Sequence, residues 1–425
     1  MLHRFLWAAF ACSLVVGAHA QVAITEFLAS NSKVLADSDG DFSDWIEVQN
    51  TGTKAVNLLG WSLTDQPEFP AKWKFPATNL NAGAFLVVFA SAKDRTNIGA
   101  PLHLNFRLAA SGDYLALFPP DSPVPATEFA AKYPAQKPDI SYGTRAGQKL
   151  FFNSPSPGAA NTGGFADFVA DTKFSHNRGF YDTPFDLTIS TATVGATLRY
   201  TTNGVPPTAT TGLIYTGPVN IPGTTVLRAA AFKDGLQPSG VDTQTYLFLS
   251  DVIRQSTNGV APPGWPTSWG SNTRDYGMDP DIVNSATYKD QIVPALKSLP
   301  SFCVVTELKH LFDPTTGIYA NPGQDGRDWE RPCSLELVYP DGTKGFQIDA
   351  GIRIRGGFSR STSNPKHALR FFFRDVYGPT KLKFPLFGDA GTDEFDAFDL
   401  RTFQNYSWSF QGDGQGVFIR DQFSR

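Results

Sequence analysis

FQIDAGIRIRGGFSRSTSNPKHALRFFFR, residues 346–374, reads as two strands joined by a Gly/Ser-rich loop. In the first, Phe346, Ile348, Ala350, Ile352 and Ile354 alternate with Gln347, Asp349, Gly351, Arg353 and Arg355. In the second, His367, Leu369, Phe371 and Phe373 alternate with Lys366, Ala368, Arg370, Phe372 and Arg374. A period of two gives each strand one apolar and one polar face. If the apolar faces share a core, Arg353, Arg355, Lys366, Arg370 and Arg374 all face the other way. The loop between them is GGFSRSTSNP, residues 356–365. Its paired glycines allow positive φ and close approach of a ligand to the backbone. Hydroxyls such as Ser359, and backbone N–H groups beside several cations, suit phosphate oxygens.

Charge density sharpens this reading. Residues 351–374 hold six Arg or Lys and no Asp or Glu, in a chain whose net charge is −4. A local excess against the global sign points to an anionic partner, inside the chain or outside it. The alternative is a basic sheet face that pairs with carboxylates of neighbouring strands or simply faces water. Neither GxxxxGK[ST] nor GxGxxG occurs, so no phosphate motif decides between them. Glu330, just before a strand expected over 333–339, is an acidic residue placed to balance the basic face.

The run WERPCSLELVYPDG…GFQIDAGIRIRGGFSR…PKHALRFFFRDVYG…KLKFPLF resembles the spore-coat protein H (CotH) kinase-like family, from about residue 299 to 425. The resemblance implies an atypical kinase-like α+β domain that binds ATP with Mg2+ and phosphorylates protein Ser or Thr. On charge and strand face, Arg353, Arg355, Ser359, Lys366 and Arg370 are the candidate nucleotide-binding residues. Lys366 or Arg355 would contact the phosphates, and Ser359 with the loop amides would line them. Only the first, strand-rich lobe is expected here. A second lobe would supply the metal ligands and general base, and neither HRDxxxxN nor DFG is found. Asp389, Asp393, Asp396 and Asp399 lie near first-lobe strands and receive no catalytic role. Strands are also expected over 301–307, 381–387 and 395–403, and a helix begins at about 419. The expectation is a fragment of a longer protein, inactive by itself.

The beginning of the chain looks like an export signal. Arg4, an apolar run over 5–16 and Ala18-His19-Ala20 have the order of a cleaved leader over 1–20. The apolar run is too short to span a bilayer, so a secreted or periplasmic protein is expected, not a membrane-spanning one. Cys303 and Cys333 remain after the leader. A disulfide requires that their strands pair suitably, and two buried free thiols are the alternative. No histidine spacing suits zinc. The charge balance gives no reason to expect nucleic acid.

Between leader and basic hairpin the text is strand and turn, and 38 Gly and 31 Pro fit that pattern. ITEFLASN…DSDGDFSDWIEVQNTGTKAVNLLGWSLTD, closing with SYGTRAG…FFNSPSPGAANTG, resembles the lamin-tail domain, an immunoglobulin-like β-sandwich, over 21–164. Its DSDGDFSD turn offers Asp37, Asp39 and Asp41 as candidate Ca2+ ligands. Gly40 precedes the third Asp, so this is not the DxDxDG loop, and a solvated acidic turn is the alternative. LRYTTNG and TVLRAAAF resemble the chitobiase/hexosaminidase C-terminal β-sandwich over 165–249. That family implies a spacer or carbohydrate-proximal module, with its aromatics as core residues more often than sugar platforms. Residues 250–298 form a linker in which prolines block regular structure. Within it a helix kinked at Pro294 is expected over 285–299, and Trp265, Trp269 and Tyr276 are expected to pack on the next domain.

The expected architecture is therefore mainly β and multidomain: two β-sandwich modules followed by the strand-rich lobe. Partners would be a protein substrate or, for a non-enzymatic adhesion protein, a cell-surface component or polysaccharide. A glycoside hydrolase has no carboxylate pair in a recognisable motif to support it.

Overall fold

A computed structural model describes residues 21–255, 260–269, 272–273, 276–362 and 366–402. The leader, loop residues 363–365, the side chain of Trp269, the end of the strand expected to 403 and the helix expected from 419 lie outside the described residues. The chain forms two compact units, Met1–Asp167 with Gly235–Gln237, and Phe168–Asp234 with Pro238–Arg425. Among the described residues no helix is long and apolar enough to cross a membrane.

The first unit is a β-sandwich. Its larger sheet has the order Gln148–Phe152, Ser141–Arg145, Val22–Leu28, Trp45–Asn50, Phe85–Phe89 and Leu102–His103. A four-stranded sheet contains Thr127–Phe129, Leu115–Phe118, Ser62–Thr64 and Trp73–Lys74. The first strand lies between the DWIE strand and the late strand Ser141–Arg145. Trp45, Ile46 and Val48 are fully buried.

Glu26 and Glu47 are cross-strand partners and are also fully buried. Donors from the SPSPG segment satisfy them. Ser156 gives its N–H and hydroxyl to Glu26, and Ser141 gives its hydroxyl. Gly158 N–H donates to Glu47 at 2.6 Å, as does the Thr25 hydroxyl. Burial, together with the Glu26 charge, pushes Glu47 up to about 7.

The second unit begins with another β-sandwich. Thr225–Phe232 sits between Asp242–Leu247 and Thr197–Thr201 in a five-stranded sheet, and Leu187, Ile189, Leu227 and Tyr246 fill the core. The linker follows. Ile292–Leu296 is helical, and the expected helix over 285–299 is reduced to turns and this short element. Pro294 occupies its first turn, where a missing N–H removes no helix bond. Trp265 packs on Tyr276 and on Phe312 of the following helix, Leu308–Phe312.

A five-stranded antiparallel sheet completes the unit, in the order Ser301–Val305, Arg331–Val338, Phe346–Arg355, Ala368–Phe372 and Ala397–Leu400. Leu335, Ile348, Ile352, Ile354, Phe371 and Phe373 build its core. The strand expected over 381–387 is only Leu382–Lys383, paired with Glu394–Phe395. Cys303 lies opposite Glu336 while Cys333 lies opposite Ala350, and both thiols are free.

One half of the sheet's polar face meets the second sandwich. Arg178 Nε reaches Glu336 Oε1 at 2.8 Å, Thr245 N–H donates to the same oxygen at 3.2 Å, and the Thr245 hydroxyl binds Oε2. The Glu336 side chain has no exposed surface.

The Glu47 shift has a testable sign. Its folded value, about 7, lies above the ordinary 4.5. The folded state therefore holds the extra proton between those values. This contribution to stability is full below pH 4.5 and is lost as pH rises to about 7. Thermal melts should show a lower Tm at pH ~8 than at pH ~5, and Glu47→Gln should shallow that slope. A slope untouched by the substitution would refute the assignment.

Candidate functional site

The other half of the polar face carries the arginines. The ladder sets Arg353 opposite Arg370, and Arg370 opposite Asp399. Arg370 makes a two-pronged pair with Asp399, Nε to Oδ1 at 2.5 Å and Nη2 to Oδ2 at 2.9 Å. Arg355 Nε reaches the same carboxylate at 2.7 Å. Arg374 Nε donates to Glu330 Oε1 at 2.8 Å, and Arg353 Nε lies 3.5 Å from Oε2. Four guanidinium groups thus share two carboxylates. The Glu330 side chain is fully buried, whereas the arginines keep 21–42% of their side-chain surface exposed.

Phe372 organises the centre of this face. Its ring lies under Arg353 at 3.9 Å and under Arg374 at 4.8 Å. A guanidinium over a ring face gains electrostatically from the ring quadrupole. Burial lowers the Arg353 pKa, Glu330 opposes that shift, and the neighbouring Arg374 and Arg370 add to it. The Asp399 hydrogen bond raises Arg370. Gly351 is required here, because a Cβ would stand 2.5 Å from the Tyr377 ring and 2.6 Å from Glu330.

The loop divides the remaining candidates. Ser359, in the short helix Phe358–Arg360, donates its hydroxyl to the Arg355 carbonyl at 3.3 Å. Its carbonyl accepts from His367 Nδ1 at 2.8 Å. Gly356 has φ +117°, and a Cβ there would collide with the Ser359 hydroxyl. The Ser359 side chain is thus tied to its own loop. Arg360 clamps the 322–325 segment through the Pro322 and Gly323 carbonyls at 3.0 and 2.9 Å, and pairs with Asp325 at 3.3 Å. Lys366 is exposed and makes no ion pair with the described residues. It precedes the strand Ala368–Phe372 rather than standing on it.

Sequence reasoning flagged Glu330 as a counter-charge but missed Asp399 in that role. The available signal was alternation: Asp399 lies between Phe398 and Leu400, which pack toward the core. It therefore shares the arginine face.

In the first unit, Asp37, Asp39 and Asp41 bring carboxylate oxygens within 4.8 Å of one another. Lys93 Nζ occupies the centre, at 2.6, 2.7 and 2.9 Å from the three. Arg95 adds a 2.8 Å contact to Asp39. The donor set would suit a hard cation, but an ammonium of the chain itself already holds the place. The hydrogen bonds it donates to Asp37, Asp39 and Asp41 raise Lys93 well above the ordinary lysine range.

Residues 16–127 match the Lamin Tail Domain family, and residues 176–243 match the Chitobiase/beta-hexosaminidase C-terminal domain family. The chain carries both modules. A search of curated proteins found no match. The five-stranded sheet with its arginine face lies outside both matched ranges.

The acidic turn and Lys93 belong to the lamin-tail module. Removing the ammonium leaves three carboxylates facing one another, and a divalent cation would then be stabilising. Lys93→Met should therefore melt at lower temperature than the wild type without Ca2+ and recover with millimolar Ca2+, since a ligand for the folded state raises Tm by mass action. The wild type should show little response. Equal responses in the two proteins would contradict Lys93 as the built-in counterion.

Proposed function

We propose that the chain is exported, and that its C-terminal sheet is the nucleotide-side half of a CotH-like atypical protein kinase acting on Ser or Thr. The lamin-tail and chitobiase-type modules serve as its attachment and spacing parts. ATP phosphates would lie on the arginine face, with Lys366 reaching them from the loop. The observation that carries this is the count of charges: four guanidinium groups on two carboxylates leave a net positive face. Lys366 is a further exposed cation, just ahead of the strand that carries Arg370. Phosphoryl transfer depends on positioning and charge stabilisation, and this sheet would supply the cationic share. Mg2+ would enter with the nucleotide.

A second function has its own support. Glu330 and Asp399 already orient all four arginines, and the tightest pairs are bidentate or buried. Such a face can be structural. On that account the chain is a non-enzymatic surface protein whose modules bind a cell-surface component or polysaccharide.

Isothermal titration of the full chain with Mg-ATP separates the two. The kinase-like proposal expects binding that weakens roughly tenfold or more in Lys366→Ala, the scale of one hydrogen bond to a charged group, with the melt unchanged. A flat trace at millimolar nucleotide would favour the adhesion protein. Binding that is unchanged in Lys366→Ala would remove that residue from the site.

A further inference from the structure

Where the second sandwich meets the five-stranded sheet, a cavity of about 220 Å³ opens between Arg228, Asp349, His310, Cys333, Val376 and Tyr377. Arg228 stands on Thr225–Phe232 and is only 6% exposed. One of its nitrogens, Nη1, donates to the Gly204 carbonyl at 3.2 Å. Nη2 stops 4.0 Å short of Asp349 Oδ1, and Nε has no partner at all. A buried guanidinium N–H without an acceptor is costly. Across the gap, Asp349 keeps a third of its side-chain surface open. Gln347 and Ser334 hold part of its carboxylate, leaving acceptor capacity toward the cavity.

We propose that this cavity binds a small neutral polyol of monosaccharide size. Donor and acceptor face one space and do not saturate each other. A hydroxyl group can accept from Arg228 Nη2–H and donate to Asp349 at once, filling the 4.0 Å gap between them, and neighbouring hydroxyls can serve both partners. Charge decides against the other classes. Arg228 and Asp349 cancel, and Glu307 is neutralised by Lys309 at 2.7 Å. Burial keeps His310 neutral, with Nδ1 on the Thr306 hydroxyl, and keeps the Cys333 thiol protonated. An anion would meet Asp349 and a cation would meet Arg228. Pro206, Val241 and Pro332 supply apolar wall for the C–H faces of a ring. The space far exceeds the roughly 10–15 Å³ that one water requires, and falls short of the roughly 300–1,000 Å³ of drug-sized ligand sites, which limits the occupant to a small molecule.

Tyr377 lines this cavity and bonds Glu330 of the arginine face, but the two proposals invoke different polar groups and different ligands and fail independently. The test is saturation-transfer NMR and isothermal titration of the full chain with glucose, N-acetylglucosamine and inositol, and with acetate and phosphate as anionic controls. At least one polyol should saturate, and Asp349→Asn should weaken it about tenfold, as expected for losing a charged acceptor. If Asp349→Asn does not fold, Val376→Trp replaces it. Val376 is 62% exposed and lines the cavity, so the indole blocks entry without touching the polar pair, and binding should be lost. The proposal is overturned if no polyol saturates by about 100 mM, a very weak interaction. It is also overturned if acetate or phosphate binds in its place, or if affinity survives the variant that folds.

Discussion

A carboxylate taken out of water must be given donors or cations, because its desolvation costs several kcal/mol in a folded protein. Glu26, Glu47, Glu330 and Glu336 are all in that position, with no exposed side-chain surface at Glu330 and Glu336 and none at all at Glu26 and Glu47. Each lies on or beside a central strand, so each imposes order on a segment distant in sequence. Glu26 and Glu47 hold the SPSPG segment against the first two strands of the lamin-tail module. Glu336 holds Arg178 and Thr245 of the chitobiase-type module. Glu330 holds Arg353 and Arg374.

Magnitudes separate these contacts from ordinary surface pairs. Exposed ion pairs such as Lys383–Glu394 contribute on the order of 0–1 kcal/mol. Removing one partner of a buried pair costs roughly 3–5 kcal/mol, because the other charge is left stranded. Arg178 remains 20% exposed, which places its contact toward the lower part of that range. That is still a sizeable part of the ~5–15 kcal/mol by which a domain is stable. Glu336 therefore fastens the second sandwich to the sheet through Arg178 and Thr245.

The local pattern made the strands legible. Ile348, Ile352 and Ile354 go to the core while Arg353 and Arg355 leave it, as a period of two requires. Glu330 was readable as a counter-charge because it is the nearest acidic residue before the strand that precedes the basic hairpin. Other features are long-range, and nothing local announces them. Lys93 reaches an acidic turn more than fifty residues earlier. Arg178 meets Glu336 across 158 residues. The strands of Cys303 and Cys333 were readable, but neither their pairing nor its register was, and the register sets Cys303 opposite Glu336 and Cys333 opposite Ala350. Pro294 was read as a kink in a long helix because its position within a first turn depends on where that helix starts.

What the arginine face offers a ligand follows from this arrangement. An anion approaching it does not meet free side chains. It meets guanidinium groups whose Nε edges are largely spent on Glu330 and Asp399, with Phe372 fixing two of the planes. The entropy of ordering those long side chains has already been lost in folding, so a ligand need not supply it. Carboxylates that lower the net charge thus also make the remaining donors stationary. On the nucleotide proposal, such a pre-ordered, half-compensated face would bind a dianion through geometry more than through raw charge. Lys366 differs in kind: exposed and outside the ladder, it would have to be ordered by whatever it contacts.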